Sequence, residues 1–500
     1  MTAAAAGRRR ARVWLAALLS LSIAIALMAA GAARAQVDNL PDMGSPADGL
    51  LSIGIEAQIG RQVYNDLVRS GSVVTDPEMQ EYIQGVGMRL VANANIKAGQ
   101  QFYFFFVDNP IINAFALPGG YIGVHTGLLL ATKNESELAG VLAHEISHVT
   151  QRHISRAVFA NQRASTVNLA AMLGAILVGV AAGADPGMIQ GAVGITQGLA
   201  MEQQISFTRS NEAEADRVAM DVLANSGFNT LAMPAFFETM SRRTGSGINR
   251  APEFLLTHPV TTDRMAETRE RARNYPVVEV ADTNEYKLAR ARARLKTSTR
   301  PELALDYFTT VAEQPGNRDS LELRYGQAIA MMQLNQYQRA SRILRDLLNE
   351  HEEVIPLHSA YADAQIMLNN PDEALEVYQT AMELFPRNVP LTVRFAEALL
   401  RYGDAQQAHD ILLDLLNQVP PTLEQVRLIA VAADAAGDTA NTHYYMAEYQ
   451  AMSGNLKLAI EQLVLALDTS NLDSVQRARL EARLTQFQGY LPRASETDPR

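Results

Sequence analysis

Apolar residues recur along this chain with two different periods, and the switches between them mark out its first half. "EAQIGRQVYNDLV" (56–68) and "DPEMQEYIQGVGMRLVANA" (76–94) carry apolar residues three and four apart, the stripe of an amphipathic helix. In the second stretch Asp76 is placed to cap the helix, with Pro77 in its first position. "QFYFFFV" (101–107) is aromatic and β-branched and predicts a strand. "NAFALPGGYIGVHTGLLL" (113–130) breaks at Pro118-Gly119-Gly120 and resumes as a second short strand, "YIGVH". A long helix then begins near Asn134 and runs through "NESELAGVLAHEISHV", with Leu138, Val141, Leu142 and Val149 available to pack inward. "FTRSNEAEADRVAMDVLANSGF" (207–228) predicts another helix, capped by Ser210 or Asn211 and ended by Gly227. Between the two lies an apolar, Ala- and Gly-rich stretch, 166–201, broken at Asp185-Pro186. Each half falls short of the roughly 20 residues that cross a bilayer. It reads either as a buried helical hairpin over the site or as a mobile lid that touches membrane or gates substrate.

After about residue 290 the texture changes. Ala340, Ala374 and Ala408 each close a turn-plus-helix phrase ("LNQYQRA", "NNPDEA", "YGDAQQA") at a spacing of 34, and Pro386 and Pro420 keep the same interval. A looser copy, "MSGNLKLA", ends at Ala459. A 34-residue helix–turn–helix period resembles the tetratricopeptide repeat, which stacks helix pairs into a curved solenoid with a concave face. The expected organisation is an export signal over 1–35, a flexible Pro- and Gly-containing lead-in over 36–49, a first folded domain over 50–290 and a repeat domain over 291–490.

The signal reading comes from Arg8, Arg9, Arg10 and Arg12 ahead of "VWLAALLSLSIAIALMAAGA", followed by "ARA" and a cleavage site after Ala35. Removing it leaves 38 basic and 54 acidic side chains, a surface that repels nucleic acid. It also removes Trp14, the sole tryptophan. The absence of cysteine excludes disulfides, thiol nucleophiles and thiolate metal sites.

"VLAHEISHVT" (141–150) is the candidate chemistry. Residues four apart on a helix share a face, so His144 and His148 can offer both imidazoles to one metal ion. Glu145 sits one residue round, beside the ion, where a general base takes a proton from water. A catalytic metal site needs a third protein ligand. His153 is out of register with the longer three-histidine pattern and reads as a surface residue. Glu212 and Asp216, four apart, offer a better answer: one as a ligand, the other holding a ligating imidazole by its second nitrogen. Glu214 points elsewhere, as a capping partner.

"HEISH", "FTRSNEAEAD" and "THPVTTDR" (257–264) occur behind a signal sequence in one order. Together they resemble the gluzincin family of CAAX-prenyl-protease-like and heat-shock membrane zinc endopeptidases. The likeness is strongest to its exported, repeat-bearing branch, which serves β-barrel assembly in the Gram-negative periplasm. The resemblance implies a mainly α fold with a small β-sheet: a zincin-type metalloprotease domain followed by an α-solenoid of tetratricopeptide repeats. It implies one Zn2+ held by His144, His148 and Glu212, with Glu145 as base and Asp216 as helper. It implies that His258 is a removable fourth ligand or faces the reaction intermediate, and that Arg264 lies near the developing oxyanion. It implies as partners unfolded or misassembled outer-membrane proteins, added as a strand along "NAFALPGGYIGV", and the barrel assembly machinery, met through the repeats. The segment 166–201 remains available for peripheral membrane contact. A repeat-based chaperone or scaffold with little proteolysis is the competing expectation.

Overall fold

The computed structural model describes residues 51–160, 209–245, 252–417, 421–470 and 472–490. The signal, the lead-in and the segment 166–201 lie outside the described residues. Two helices open the fold, α1 (Ile53–Arg69) and α2 (Pro77–Val91). Asp76 caps α2, its side chain accepting from Met79 N at 3.1 Å. A three-stranded sheet comes after them: β1 (Tyr103–Val107), β2 (Ala114–Ala116) and β3 (Tyr121–His125), in the order β1-β3-β2. β3 runs parallel to β1, pairing Tyr103 with Tyr121 through Val107 with His125, and antiparallel to β2, pairing Ala114 with Val124. The break between β2 and β3 is a turn of 3-10 helix over Pro118–Gly120. Gly120 there has φ 83°, and a Cβ would stand 1.8 Å from Gln101 O, so no other residue fits.

The helices α3 (Thr126–Ala131), α4 (Glu135–Thr150) and α5 (His153–Ala160) come next. Asn134 caps α4 by accepting from Glu137 N at 3.0 Å. Apart from Val149, every residue of α4 is buried, because sheet and helices enclose it on all sides. The helices α6 (Arg209–Asn225), α7 (Ala232–Gly245), α8 (Phe254–Thr257) and α9 (Thr262–Ala272) complete this first half. Its core joins Phe104, Ile122 and Val124 of the sheet to Leu142 and Ile146 of α4, Leu223 of α6 and Phe236 of α7. α6 includes Ser210 and Asn211, which therefore lie inside the helix rather than capping it. Gly227 (φ 73°) turns the chain away after its end, as expected.

α10 (Asn284–Thr297) belongs to both halves. Tyr286, Ala289 and Ala293 pack into the first core, while Leu288, Ala291 and Leu295 pack into the next. Paired helices then stack: α11 (Pro301–Ala312), α12 (Leu321–Gln333), α13 (Tyr337–Glu350), α14 (Ile355–Met367), α15 (Pro371–Leu384), α16 (Val389–Tyr402), α17 (Ala405–Leu416), α18 (Leu423–Ala435), α19 (Thr439–Met452), α20 (Leu456–Leu467) and α21 (Ser474–Gly489). The alanines spaced by 34 are the small residues where neighbouring helices meet: Ala340, Ala374 and Ala408 expose no surface, and neither does Ala459 of the looser copy. The repeats dock back on the first half. Arg394 of α16 grips Glu78 of α2 through Nε–Oε1 at 2.6 Å and Nη2–Oε2 at 2.9 Å. Asn388 donates to Glu81 at 2.9 Å. Among the described residues no helix is long and apolar enough to cross a membrane.

Candidate metal centre

The fold brings four elements to one point. α4 supplies His144, Glu145 and His148; α6 supplies Glu212 and Asp216; His258 comes directly after α8; Arg264 opens α9. The sequence has no local reason to join them; burial does. α6 lies along α4 because Ala215, Ala219 and Leu223 present a small apolar face to it. Phe254, fully buried against Phe236 with ring centroids 5.6 Å apart, anchors the segment that carries His258.

His144 Nε2 is 3.0 Å from His148 Nε2 and 3.3 Å from His258 Nδ1. Glu212 reaches the same point: Oε1 lies 3.2 Å from His258 Nδ1, and Oε2 lies 3.4 Å from His144 Nε2. One donor atom from each of His144, His148, Glu212 and His258 falls within 4.8 Å of all the others, and all four side chains are buried. A proton between two imidazole nitrogens satisfies one pair at a time, and the remaining lone pairs then face each other out of water. A cation satisfies them together, and the N and O donor set suits a borderline metal.

Around this cluster stand the supporting groups. Asp216 Oδ1 is 3.0 Å from His144 Nδ1, so the carboxylate can accept the proton that ligation by Nε2 requires on the other nitrogen. Arg264 holds Asp216 with both prongs, Nε–Oδ2 at 2.6 Å and Nη2–Oδ1 at 2.8 Å. Its third nitrogen, Nη1, lies 2.7 Å from Glu212 Oε2 and donates to Pro259 O at 3.0 Å. The guanidinium is thus engaged by Glu212 and Asp216 together. Glu145 Oε1 is 3.4 Å from His258 Nε2. The backbone N–H of Ala116, on the outer edge of β2, works against the rise of the Glu145 carboxyl.

Burial and these contacts set the charges. Burial disfavours a charged His144, but Asp216 and Glu212 outweigh it and push the imidazole up to about 9. His148 is held well below its ordinary value, first by burial and then by the charge of His144. Burial raises Glu145, towards the range where a carboxylate accepts a proton readily. Burial opposes ionisation of Glu212 and Asp216 too, yet His258 and His144 hold Glu212 far below the carboxylate range, and Arg264 with His144 depresses Asp216.

All seven residues singled out in the sequence therefore meet in one site. The structure corrects two others. His153 is not a surface residue: it exposes nothing, and its Nδ1 is 2.8 Å from His148 Nδ1. Glu214 does not cap α6; it accepts from Arg156 Nη1 at 2.8 Å and lies 3.3 Å from His153 Nε2. What places both is Arg152, a left-handed break after the motif helix that turns α5 to a new facing, and no residue type there announces it in the sequence.

The comparisons with known proteins agree with this geometry. The model of peptidase family M48 matches residues 77–272, which contain the whole cluster, and a tetratricopeptide-repeat model matches 365–432. The β-barrel assembly-enhancing protease of Escherichia coli (strain K12) is 36% identical over 454 residues, covering 90% of this chain and 91% of its own length. The chain belongs to the β-barrel assembly-enhancing proteases. It is a metalloendopeptidase with a repeat domain suited to protein–protein contact. A putative member of the same group from Vibrio cholerae is 35% identical, over 94% of this chain and 96% of its own. The mitochondrial metalloendopeptidase OMA1 of Arabidopsis thaliana is 31% identical over 153 residues, covering 31% of this chain and 28% of its own.

Proposed function

We propose that the protein is a zinc metalloendopeptidase of the Gram-negative periplasm that promotes assembly of outer-membrane β-barrel proteins and degrades those that misassemble. The single observation that carries the catalytic part is the convergence of four buried donors within 4.8 Å. On this reading His144, His148 and Glu212 hold the ion. Zinc, when bound, supplies a Lewis acid and makes hydroxide available near neutral pH. Glu145 takes the proton from the attacking water and returns it to the leaving amine; its raised affinity for protons supports that task. Asp216 fixes the tautomer of His144. Arg264 holds both carboxylates and keeps a positive charge beside the reacting carbonyl. His258 is the removable fourth ligand. Closed sets of four protein ligands belong to structural sites and open sets to catalytic ones. The seat of His258 among the donors therefore supports a latent protease that acts when this residue swings away.

The likeness to barrel-assembly proteases over nine-tenths of the chain supports the choice of client. The partners are unfolded or misassembled outer-membrane proteins, and the repeats bind the barrel assembly machinery. Residues 1–35 direct export and are cut after Ala35, the lead-in ends at 49, protease and repeats divide at 290 inside the helix α10 that they share, and 166–201 makes peripheral contact with membrane. Metal content measured together with casein degradation, on wild type and Glu145→Gln, tests the reading. The expected result is one zinc per chain in both and a loss of activity of about 100- to 10,000-fold in the variant. Undiminished cleavage by the variant, or purified folded protein without metal, refutes the assignment. Full complementation of an outer-membrane assembly defect by Glu145→Gln would instead favour the repeat-based scaffold.

A further inference from the structure

The motif helix does not run straight into α5. Arg152 lies between them at φ 53°, a left-handed conformation that is strained for a residue with a Cβ. The surroundings hold it there. Its side chain is buried, donates to Leu51 O, and lies 3.2 Å from Glu56 Oε1 and 3.3 Å from Ser155 Oγ. This turn redirects His153 so that its ring meets that of His148 edge to face, with centroids 4.9 Å apart. Without the turn, the next residues would point away from the cluster.

We infer that His153 is a positioning residue for His148, and that the His153–Glu214 pair does for the second histidine what Asp216 does for the first. The inference rests on the reading of His148 as a metal ligand. His148 turns Nε2 to the cluster, 3.0 Å from His144 Nε2 and 3.5 Å from Glu212 Oε1. Ligation needs a lone pair on that nitrogen and places the proton on Nδ1. His153 Nδ1 meets that protonated nitrogen at 2.8 Å. It must accept, so His153 carries its own proton on Nε2, where Glu214 Oε2 stands at 3.3 Å. Arg156 fixes Glu214 from the other side at 2.8 Å. One tautomer of each ring thus satisfies every contact along the line, and the opposite choice at either ring leaves two donors or two lone pairs facing each other. His153 touches neither the ion nor substrate; it acts by orienting His148 and fixing its tautomer, as outer partners of ligating histidines do.

The test is zinc affinity of the full mature chain, measured by competition with a chromophoric chelator, with the unfolding temperature of each zinc-free protein as control. His153→Phe keeps the ring and removes the acceptor. His153→Asn restores an acceptor near the position of Nδ1. The expected result is a loss of affinity of about 10- to 100-fold for Phe and recovery to within about threefold of wild type for Asn, with similar unfolding temperatures. Equal zinc affinity in wild type and His153→Phe overturns the inference, as does an Asn variant that loses as much as Phe, since the ring would then only fill space. If His153→Phe does not fold, Glu214→Ala, at a part-exposed position, carries the test: a severalfold loss is expected, and unchanged affinity overturns the proposal. A wild type that takes up no zinc overturns the ligand reading and this inference with it, so the two failures are told apart.

Discussion

Arg394→Met removes the charge that joins the repeats to the protease half while keeping the apolar stem of the side chain. Glu78, the partner, is only 4% exposed in its side chain and accepts both prongs of the guanidinium. Burial alone would raise this carboxyl. Arg292 and Arg394 overcome it and hold it down to about 2, from 4.5. That depression corresponds to about 3 kcal/mol of folding stability at neutral pH. Removing one member of a buried pair costs about 3–5 kcal/mol on general grounds, and Arg292, still 3.6 Å from Glu78, moderates the loss. Arg292 shares that depression, so the loss on removing Arg394 is about 2–3 kcal/mol at pH 7. The sign comes from the lowered value: the contribution is present above the unfolded value near 4.5 and disappears as pH falls towards 2. The difference between wild type and Arg394→Met should therefore shrink to about 1 kcal/mol at pH 3. Urea unfolding monitored by far-ultraviolet circular dichroism at both pH values reads this directly. A variant within 1 kcal/mol of wild type at pH 7, or a difference that grows on acidification, refutes the argument.

Three further outcomes are expected. His258→Ala opens the set of four donors and should raise self-cleavage and casein degradation severalfold; a fall in activity would place His258 in the reaction instead of the latch. Asp216→Asn exchanges the carboxylate facing His144 for an amide and should weaken zinc binding about 10- to 100-fold in chelator competition, with metal content at saturation unchanged. Ala374→Leu forces three extra carbons into a fully buried helix contact of the repeats and should lower stability by about 1–3 kcal/mol, read as a lower melting temperature with no change in metal affinity.

Much of this structure was legible in the sequence wherever the cause was local. Asn134 caps the motif helix because its side chain meets the N–H three residues on, a relation within one turn. The alanines at intervals of 34 mark helix contacts because no larger residue fits where stacked helices cross, and a repeat writes that constraint at a fixed period. Glu212 and Asp216 were visible as a pair on one helical face; their separate attachments, to the donor cluster and to His144 Nδ1, are set by how α6 lies on α4. His153 was illegible for a definite reason. On a continued helix a residue five after His148 faces about 140° away from it. The left-handed Arg152 cancels that rotation, and Arg152 is held by Leu51 and Glu56, about a hundred residues earlier in the chain. No window around the motif contains that information.

The edge strand β2 and His258 are tied to one another through the backbone. β2 pairs with β3 through Asn113 O, Phe115 and Leu117 N, so the groups of Ile112, Ala114 and Ala116 face the other way, towards any strand that would be added. One of those groups has a partner already: Ile112 O accepts from Phe254 N at 3.1 Å. The N–H of Ala116 is turned towards Glu145 and lowers its carboxyl. Phe254 begins the short helix whose last turn holds His258 N on Phe254 O at 2.8 Å. A strand pairing along β2 must therefore take Ile112 O from the very residue that anchors His258, and draws the Ala116 N–H away from Glu145. On the proposed reading, strand addition loosens the fourth ligand and frees Glu145 in one event. The protease would then be switched on by the feature that marks an unassembled barrel strand, its unpaired backbone, and a folded barrel with every strand paired would leave the site closed.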